Sequence, residues 1–302
     1  MAKTALILGA SGKLGIHSAK AFEAAGWNVR LYDRKAGDMT RQAQGVDVIM
    51  NGLNPPNYHN WAQIIPQITA QVIAAAKSSG ARVVIPGNVY NFGKAPAPWS
   101  ATTPQTPCSR KGQIRVDMEA AYRNAGVKTL ILRAGNFIDP DRNGCVMSLV
   151  YLTSIKKGKI TSPGGFDTLQ AFAYVPDWAR AMVALCDAED RLERFEDVPF
   201  AGHSFTAREL AAGLSAALDR EIKIAGFPWW LMSLASPFWE LARELREMRY
   251  LWNHPHSMSS EKLARLLPDF APTPLHEVMI AALPPQIHPG QSVAAGTALP
   301  AS

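Results

Sequence analysis

A five-residue apolar run, Thr4–Leu8, passes directly into Gly9-Ala10-Ser11-Gly12-Lys13-Leu14-Gly15 and then into a helical pattern, Leu14–Ala25, that Gly26 closes. A buried strand, a glycine-rich turn and a helix in immediate succession leave few folds open. Gly9 permits the tight turn, Gly12 lets backbone N–H groups approach a pyrophosphate, and Gly15 lets the helix pack closely on the strand. The positive end of the helix dipole then faces the phosphates. Gly9, Ser11, Gly12, Lys13, Leu14 and Gly15 are therefore the expected phosphate cradle of a dinucleotide.

The rest of the first half fits that start. Asn28–Tyr32, Asp47–Met50, Arg82–Ile85 and Lys128–Leu132 read as strands, and Trp61–Ser79 and Gly112–Ala125 as helices, with Pro66 expected to kink or restart the first of these. Strands alternating with helices predict a parallel sheet of βαβ units. Between the second and third strands, residues 34–45 have room only for a very short crossover helix. The fold class is α/β: a Rossmann-type, doubly wound parallel sheet, with residues 1–135 as the dinucleotide-binding domain.

After residue 135 the texture changes. Phe172–Val175 reads as a strand, Trp178–Ala188 as a helix, and Phe205–Leu218 as a helix opened by a capping box of Thr206 and Glu209. Phe227–Trp252, rich in Trp and Leu, predicts one or two helices broken at Pro237. Residues 136–283 are expected to form a smaller, mostly helical substrate-binding part, interleaved with the first domain or following it. The Pro/Gly/Ala-rich stretch 284–302 predicts a disordered tail. Pro96, Pro98, Pro104 and Pro107 predict an irregular surface loop over 94–107.

Charge and cysteine usage narrow the class. Residues 1–135 hold 16 Lys/Arg against six Asp/Glu, while the remainder is net acidic. A basic first half suits a pyrophosphate ligand; its cations are scattered and lack interleaved aromatics, which argues against nucleic acid. Cys108, Cys145 and Cys186 have neither metal-ligand nor disulfide spacing and predict a reducing, cytoplasmic setting. The apolar start is too short for a signal peptide. The uncharged run Ala225–Trp239 is interrupted by Pro228 and Pro237 and falls short of a membrane span. His254 and His256 flank Pro255 and predict a surface loop, His17 a packed position in the first helix, and no metal set is evident.

Asp33 ends the second strand, at the position where an acid can hydrogen-bond both adenosine ribose hydroxyls. That favours NAD over NADP. Arg34 follows at once and could instead pair with a 2′-phosphate, or simply stand in a solvated turn, so NADP stays open. Gly52 and Leu53 after the third strand, and Pro86 after the fourth, lie where such folds pass their backbone along the cofactor.

The G-x-x-G-x-x-G spacing resembles the short-chain dehydrogenase/reductase superfamily, in particular its extended and atypical branches. The Lys128–Arg133 strand running into Ala134-Gly135-Asn136-Phe137-Ile138-Asp139-Pro140 is similar to the extended branch. So are Phe172-Ala173-Tyr174-Val175-Pro176-Asp177-Trp178-Ala179 and, near the end, Leu267–Leu275. The likeness to NAD-dependent epimerases and dehydratases runs to about residue 283.

The superfamily's usual chemistry uses Ser, Tyr and Lys, the last two as Y-x-x-x-K, and no such motif occurs here. With Val89-Tyr90 aligned to the superfamily's V-Y pair, Ser falls on Pro86, Tyr on Lys111 and Lys on Arg115. Lys111-Gly112-Gln113-Ile114-Arg115-Val116-Asp117-Met118-Glu119 resembles a segment of the isoflavone reductase-like proteins, atypical members grouped with regulators of the nitrogen-metabolite-repressor type. That resemblance implies Lys111 as the general acid/base beside the nicotinamide, in a partly apolar setting; otherwise Lys111 anchors ribose or phosphate and catalyses nothing. Tyr90 is the second-choice proton donor. Arg115 and Glu119, four apart on a helix, form an expected structural ion pair.

The expected function is an NAD(P)-dependent oxidoreductase acting on a small, apolar organic substrate by hydride transfer. The alternatives are an NAD-dependent epimerase or dehydratase and a non-catalytic dinucleotide-sensing regulator. The aromatic residues of 227–252 are expected to be core more than ligand cage. Oligomeric state stays open, a homodimer being one outcome.

Overall fold

The computed structural model describes residues 2–141 and 144–288. The first half runs β1 (Thr4–Leu8), α1 (Lys13–Ala24), β2 (Asn28–Leu31), α2 (Met39–Gln42), β3 (Val48–Asn51), α3 (Trp61–Ser79), β4 (Arg82–Gly87), α4 (Arg110–Ala125) and β5 (Thr129–Arg133). The second half runs β6 (Asn136–Ile138), β7 (Lys159–Ser162), β8 (Gln170–Tyr174), α5 (Val175–Asp187), β9 (Phe195–Pro199), β10 (His203–Phe205), α6 (Ala207–Leu218) and β11 (Lys223–Gly226). It ends with α7 (Trp229–Ala235), α8 (Glu240–Glu247), α9 (Arg249–Trp252), α10 (Glu261–Leu266) and α11 (Leu275–Ala281).

Six strands form one parallel sheet in the order β2-β1-β3-β4-β5-β9. The brief crossover from β2, a 3-10 turn and the four-residue α2, adds no strand beyond β2. β2 is therefore an edge, and its Leu31 stands 58% exposed. The chain next enters β3 on the other side of β1, so the strand order reverses between β1 and β3, the place where such sheets open a ligand crevice. One face of the sheet packs Phe22 of α1 and Trp178 and Met182 of α5; the other packs Met39 of α2, Ile65 and Val72 of α3 and Tyr122 of α4. β1, β3 and β5 are buried at every position, as strands covered on both faces must be.

Several expectations are revised. β9 carries the charged stretch Phe-Glu-Asp-Val-Pro, which no alternation reveals as a strand, yet it pairs along all of β5. Its Glu196 is buried by pairing with Lys262 and accepting the Glu193 N–H at 2.9 Å. The segment after residue 135 thus returns to the first sheet through α5 and β9. It also forms a three-stranded sheet, β10-β8-β6, and a parallel pair, β11-β7. α3 runs unbroken from Trp61 to Ser79 with Pro66 inside it. The Thr206–Glu209 capping box is present.

The proline-rich loop is not merely a surface loop. Trp99 is fully buried; its N–H donates to the Ser257 carbonyl at 2.9 Å, and its own carbonyl accepts from Ser259 at 2.8 Å. His256, expected on the surface, is fully buried and stacks on the Trp99 ring with centroids 4.7 Å apart. Burial lowers His256 to a pKa of about 4. The 227–252 region forms three short helices, and α7, expected to be core, buries none of its residues. Pro285–Ile287 makes a 3-10 turn, while the tail beyond His288 lies outside the described residues.

Candidate functional site

The site is assembled at the C-terminal ends of β1, β3 and β4. Gly9 has φ of 72°, and a Cβ there would come within 2.8 Å of the Gly52 carbonyl oxygen. A Cβ on Gly52 would stand 2.8 Å from the Leu8 carbonyl oxygen, and one on Gly15 only 2.3 Å from that of Gly9. These three glycines are demanded by backbone packing across the crevice.

Gly12 differs. An added Cβ would touch only the Gly9 carbonyl oxygen, at 3.3 Å, so the protein leaves the space before it open. Gly12 is also the N-cap of α1, and no side chain caps the first N–H groups of that helix. Open space ahead of uncapped helical N–H groups fits a phosphate-bearing cofactor. Ser11 is exposed beside it, Leu14 packs into the core under the loop, and Lys13 Nζ donates to the Gly144 carbonyl at 2.8 Å.

Asp33 is exposed just past β2, where one carboxylate oxygen accepts the Lys35 N–H at 2.8 Å. Arg34 stands exposed in the same turn. The Leu53 N–H donates to Asn51 Oδ1 at 3.2 Å, and Pro86 lies half-buried within β4. These residues border the crevice from the β2 edge toward the middle of the sheet.

The other end is built around the first turn of α4. Ser109 caps the helix by accepting the Gly112 N–H at 3.0 Å, and Gly112 presses against the Tyr90 carbonyl, where a Cβ would sit at 2.5 Å. That contact sets Lys111 beside the turn following β4. Lys111 is buried, with its ammonium 5.1 Å from the centre of the Tyr58 ring. Tyr58 and Tyr90 share a hydroxyl hydrogen bond of 3.0 Å, and Asn88 Oδ1 accepts the Tyr90 N–H at 3.0 Å. Burial, then the neighbouring Tyr90, raises Tyr58 well above its ordinary pKa.

The partly apolar setting expected for Lys111 is not found. Its Nζ pairs with the carboxylates of Glu244 and Glu247 and donates to the Glu244 carbonyl at 3.3 Å. Glu247 also accepts the Lys111 backbone N–H at 3.3 Å. An ammonium has three N–H donors, and α8 supplies an acceptor for each. A carboxylate must therefore give way before Lys111 can donate to anything else. Glu240, one turn earlier, accepts from His59 Nδ1 at 2.9 Å, so a stripe of three acids ties α8 to this end of the crevice.

The expected Arg115–Glu119 pair is also replaced. Arg115 donates to Asn54 Oδ1 at 2.9 Å and lies over the Trp61 ring. Glu119 instead meets Arg133, at 3.0 and 2.8 Å, and Arg133 reaches Asp197 as well. The guanidinium is fully buried, which disfavours its charge, yet the two carboxylates hold it above its ordinary pKa. A tertiary partner with matched fork geometry outcompetes a neighbour on the same helix.

Sequence reasoning missed Tyr58, Asn54, Glu244 and Glu247. The acids at 240, 244 and 247 do form a readable helix stripe, but their lysine lies far away in the chain. Nor did it group His17, Asp139 and Asp141. His17 Nε2 is 3.0 Å from Asp139 and 3.6 Å from Asp141, and Lys20 pairs with Asp141 at 3.3 Å. One nitrogen or oxygen atom from each of these three side chains lies within 4.8 Å of the others, in a cluster that ties α1 to the segment after β6.

Comparison with known proteins bears on the fold and the family. No curated protein sequence matches the chain. Among solved structures, MoeE5 in complex with UDP-glucose and NAD is similar with a TM-score of 0.72 at 14% identity, covering 92% of this chain and 97% of its own. The UDP-glucose-4-epimerase of Stenotrophomonas maltophila, with bound NAD and formylated UDP-arabinopyranose, reaches 0.71 at 12% identity over 93% and 96%. The Bordetella bronchiseptica enzyme WbmH in complex with NAD+ reaches 0.68 at 18% identity over 94% and 97%. At these identities the likeness speaks for the fold. The family model described as NAD dependent epimerase/dehydratase matches residues 5–199, spanning the glycine loop, Lys111 and all six sheet strands, and this chain belongs to that enzyme family.

Proposed function

We propose that this chain is an NAD-linked oxidoreductase that transfers hydride to or from a small, apolar organic substrate, with Lys111 in place of the family's tyrosine. One observation carries this reading. Lys111 is a buried ammonium on the first turn of α4, against Tyr58 and beside the turn that follows β4. NAD, supported by the family description and by Asp33, supplies the hydride acceptor when bound. Gly9, Gly12, Gly15 and the N-terminus of α1 hold its pyrophosphate, and Asp33 takes the ribose hydroxyls. Lys111 gives a proton from Nζ to the substrate oxygen in the reductive direction and takes it back in the oxidative one, exchanging one carboxylate contact for that oxygen, and solvent water restores or removes the proton between turnovers. Tyr90, hydrogen-bonded to Tyr58, is the next donor in line.

The test is net NADH oxidation with a panel of aliphatic and aromatic aldehydes and ketones. Once a substrate responds, Lys111→Ala should slow single-turnover hydride transfer by roughly 10²–10⁴-fold and change NAD affinity much less. Lys111→Arg should recover little, because a guanidinium does not exchange a proton near neutral pH. Unchanged chemistry in Lys111→Ala would shift the role to Tyr90. Isomerised or dehydrated UDP-sugar with no net NADH consumption would instead make the chain an epimerase or dehydratase.

A second reading is a dinucleotide-sensing regulator, favoured by the saturation of all three Lys111 donors by α8. Collapse of NAD affinity in Lys111→Ala, with no turnover in the wild type, would support it.

A further inference from the structure

Among the described residues, seven large apolar side chains stand exposed, and five of them fall in one short segment: Trp230, Leu231, Leu234, Phe238 and Trp239. Phe238 is 94% exposed, Leu234 68% and Trp230 63%. They belong to the uncharged run Ala225–Trp239, which contains α7, a helix with no buried residue. A cluster of this kind on a surface marks something it binds. The run is anchored from behind: Trp229 Nε1 donates to the Pro163 carbonyl at 2.7 Å, and the Arg249 guanidinium lies over the Trp229 ring.

The flanking charge is positive. β11 leads straight into the run, and its Lys223 stands opposite Lys159 of β7, both exposed, with exposed Lys156 and Lys157 just ahead of β7. Lys223 precedes the run by two residues and Lys159 is its partner across the β11–β7 pair, so both cations lie at the base of the apolar segment. The acids of α8 do not oppose them, since Glu240 faces His59, and Glu244 and Glu247 face Lys111. Asp219 and Glu221 are the exposed carboxylates just ahead of Lys223, and exposed Arg220 stands between them.

Size excludes a protein partner as the first choice. A stable protein interface takes about 800 Å² and 20–30 residues from each side. α7 is seven residues, about 10 Å long, and the apolar projections around it are few. That is enough for an interfacial anchor, where aromatic rings enter the headgroup boundary and nearby lysines meet lipid phosphate. No helix among the described residues is long and apolar enough to cross a membrane.

We infer that the 227–239 segment docks this protein onto an anionic lipid surface, Trp230, Leu234 and Phe238 entering the boundary and Lys159 and Lys223 facing the headgroups. The inference stands independently of the proposed reaction. The full chain with NAD is pelleted with phosphatidylcholine vesicles containing phosphatidylglycerol, and with phosphatidylcholine vesicles alone. Expected are binding to the anionic vesicles, a blue shift of tryptophan emission, and release by salt. Phe238→Glu and Leu234→Glu, each at an exposed position, should weaken partitioning tenfold or more. Lys159→Glu and Lys223→Glu should weaken it by about fivefold each. NAD affinity should stay unchanged in all four, separating this result from the fate of the cofactor site. Absence of pelleting, equal pelleting with both vesicles, or wild-type partitioning by Phe238→Glu overturns the inference. So does a sedimentation-velocity dimer that Phe238→Glu converts to monomer, because a second copy then covers the patch.

Discussion

Among the glycines at the crevice, Gly12 is the one where an added Cβ meets the least resistance from the protein itself. Gly9, Gly15 and Gly52 would each drive a Cβ to within 2.8 Å of a carbonyl oxygen or closer, whereas Gly12 would meet one at 3.3 Å. Its φ of −82° suits any residue. Gly12→Val should therefore fold with a near-normal melting temperature and lose NAD binding by calorimetric titration, the valine occupying the pyrophosphate's space. A folded Gly12→Val with unchanged affinity would remove the phosphate-loop assignment. At the other end of the cofactor, Asp33→Ala should shift relative affinity from NAD toward NADP by about tenfold, or 1.4 kcal/mol. A wild type that already binds NADP tenfold better would make Arg34 the deciding residue. The strand, turn and helix of the candidate cradle were legible because they are contiguous and specify one another within one short stretch of chain. Lys111 was legible as a candidate, through the alignment of Val89-Tyr90 with the superfamily's V-Y pair. Its surroundings were not, because Glu244 and Glu247 reach it from a helix whose own sequence says only that it has an acidic side.

Elements pair in ways that local pattern does not disclose. The proline-rich loop and the 254–259 segment each look like surface loops, yet they share Trp99, clasped by backbone hydrogen bonds to Ser257 and Ser259 and stacked on His256. Four closely spaced prolines keep 94–107 irregular; they do not forbid burial once another segment takes up the backbone groups. The junction is sensitive to acid. His256 in the fold has a pKa of about 4 against an ordinary 6.5, and its Nε2 has no hydrogen-bond partner. The unfolded chain therefore takes up the proton first as pH falls. The neutral ring's contribution is complete above about pH 6.5 and is lost as pH drops from there toward 4. At about 1.4 kcal/mol per pKa unit the loss is roughly 3 kcal/mol. Urea midpoints at successive pH values should fall across that window. They should fall distinctly less in His256→Phe, which keeps a ring against Trp99 but cannot titrate. Parallel pH curves for the two proteins would place the acid sensitivity elsewhere.

At the scale of the molecule, the sheet is finished by the second half of the chain. β9 closes the β5 edge and α5 covers the face beside α1, so the first half alone leaves one edge of β5 unpaired and part of a core open. Arg133 sits at the junction: it ends β5, reaches Glu119 on α4 and Asp197 on β9, and donates to the Asn88 carbonyl at 2.7 Å beside the candidate site. A fully buried guanidinium held by two carboxylates is costly to break one partner at a time, commonly about 3–5 kcal/mol, because the charge left behind stays out of water. Glu119→Ala should thus lower the melting temperature on the order of 10 °C. The effect on cooperativity is the sharper test. If the two halves share one sheet and this ion cluster, far-ultraviolet dichroism and tryptophan emission should trace one coincident transition, in the wild type and in the variant. The tryptophans report on both halves, Trp27 and Trp61 from the first and Trp178 and Trp252 from the second. A scan that splits in two, or a variant that moves only one of two steps, would show that the halves fold separately. Arg133 would then be a local contact of β5 instead of the cross-link that makes the crevice and its cover a single folding unit.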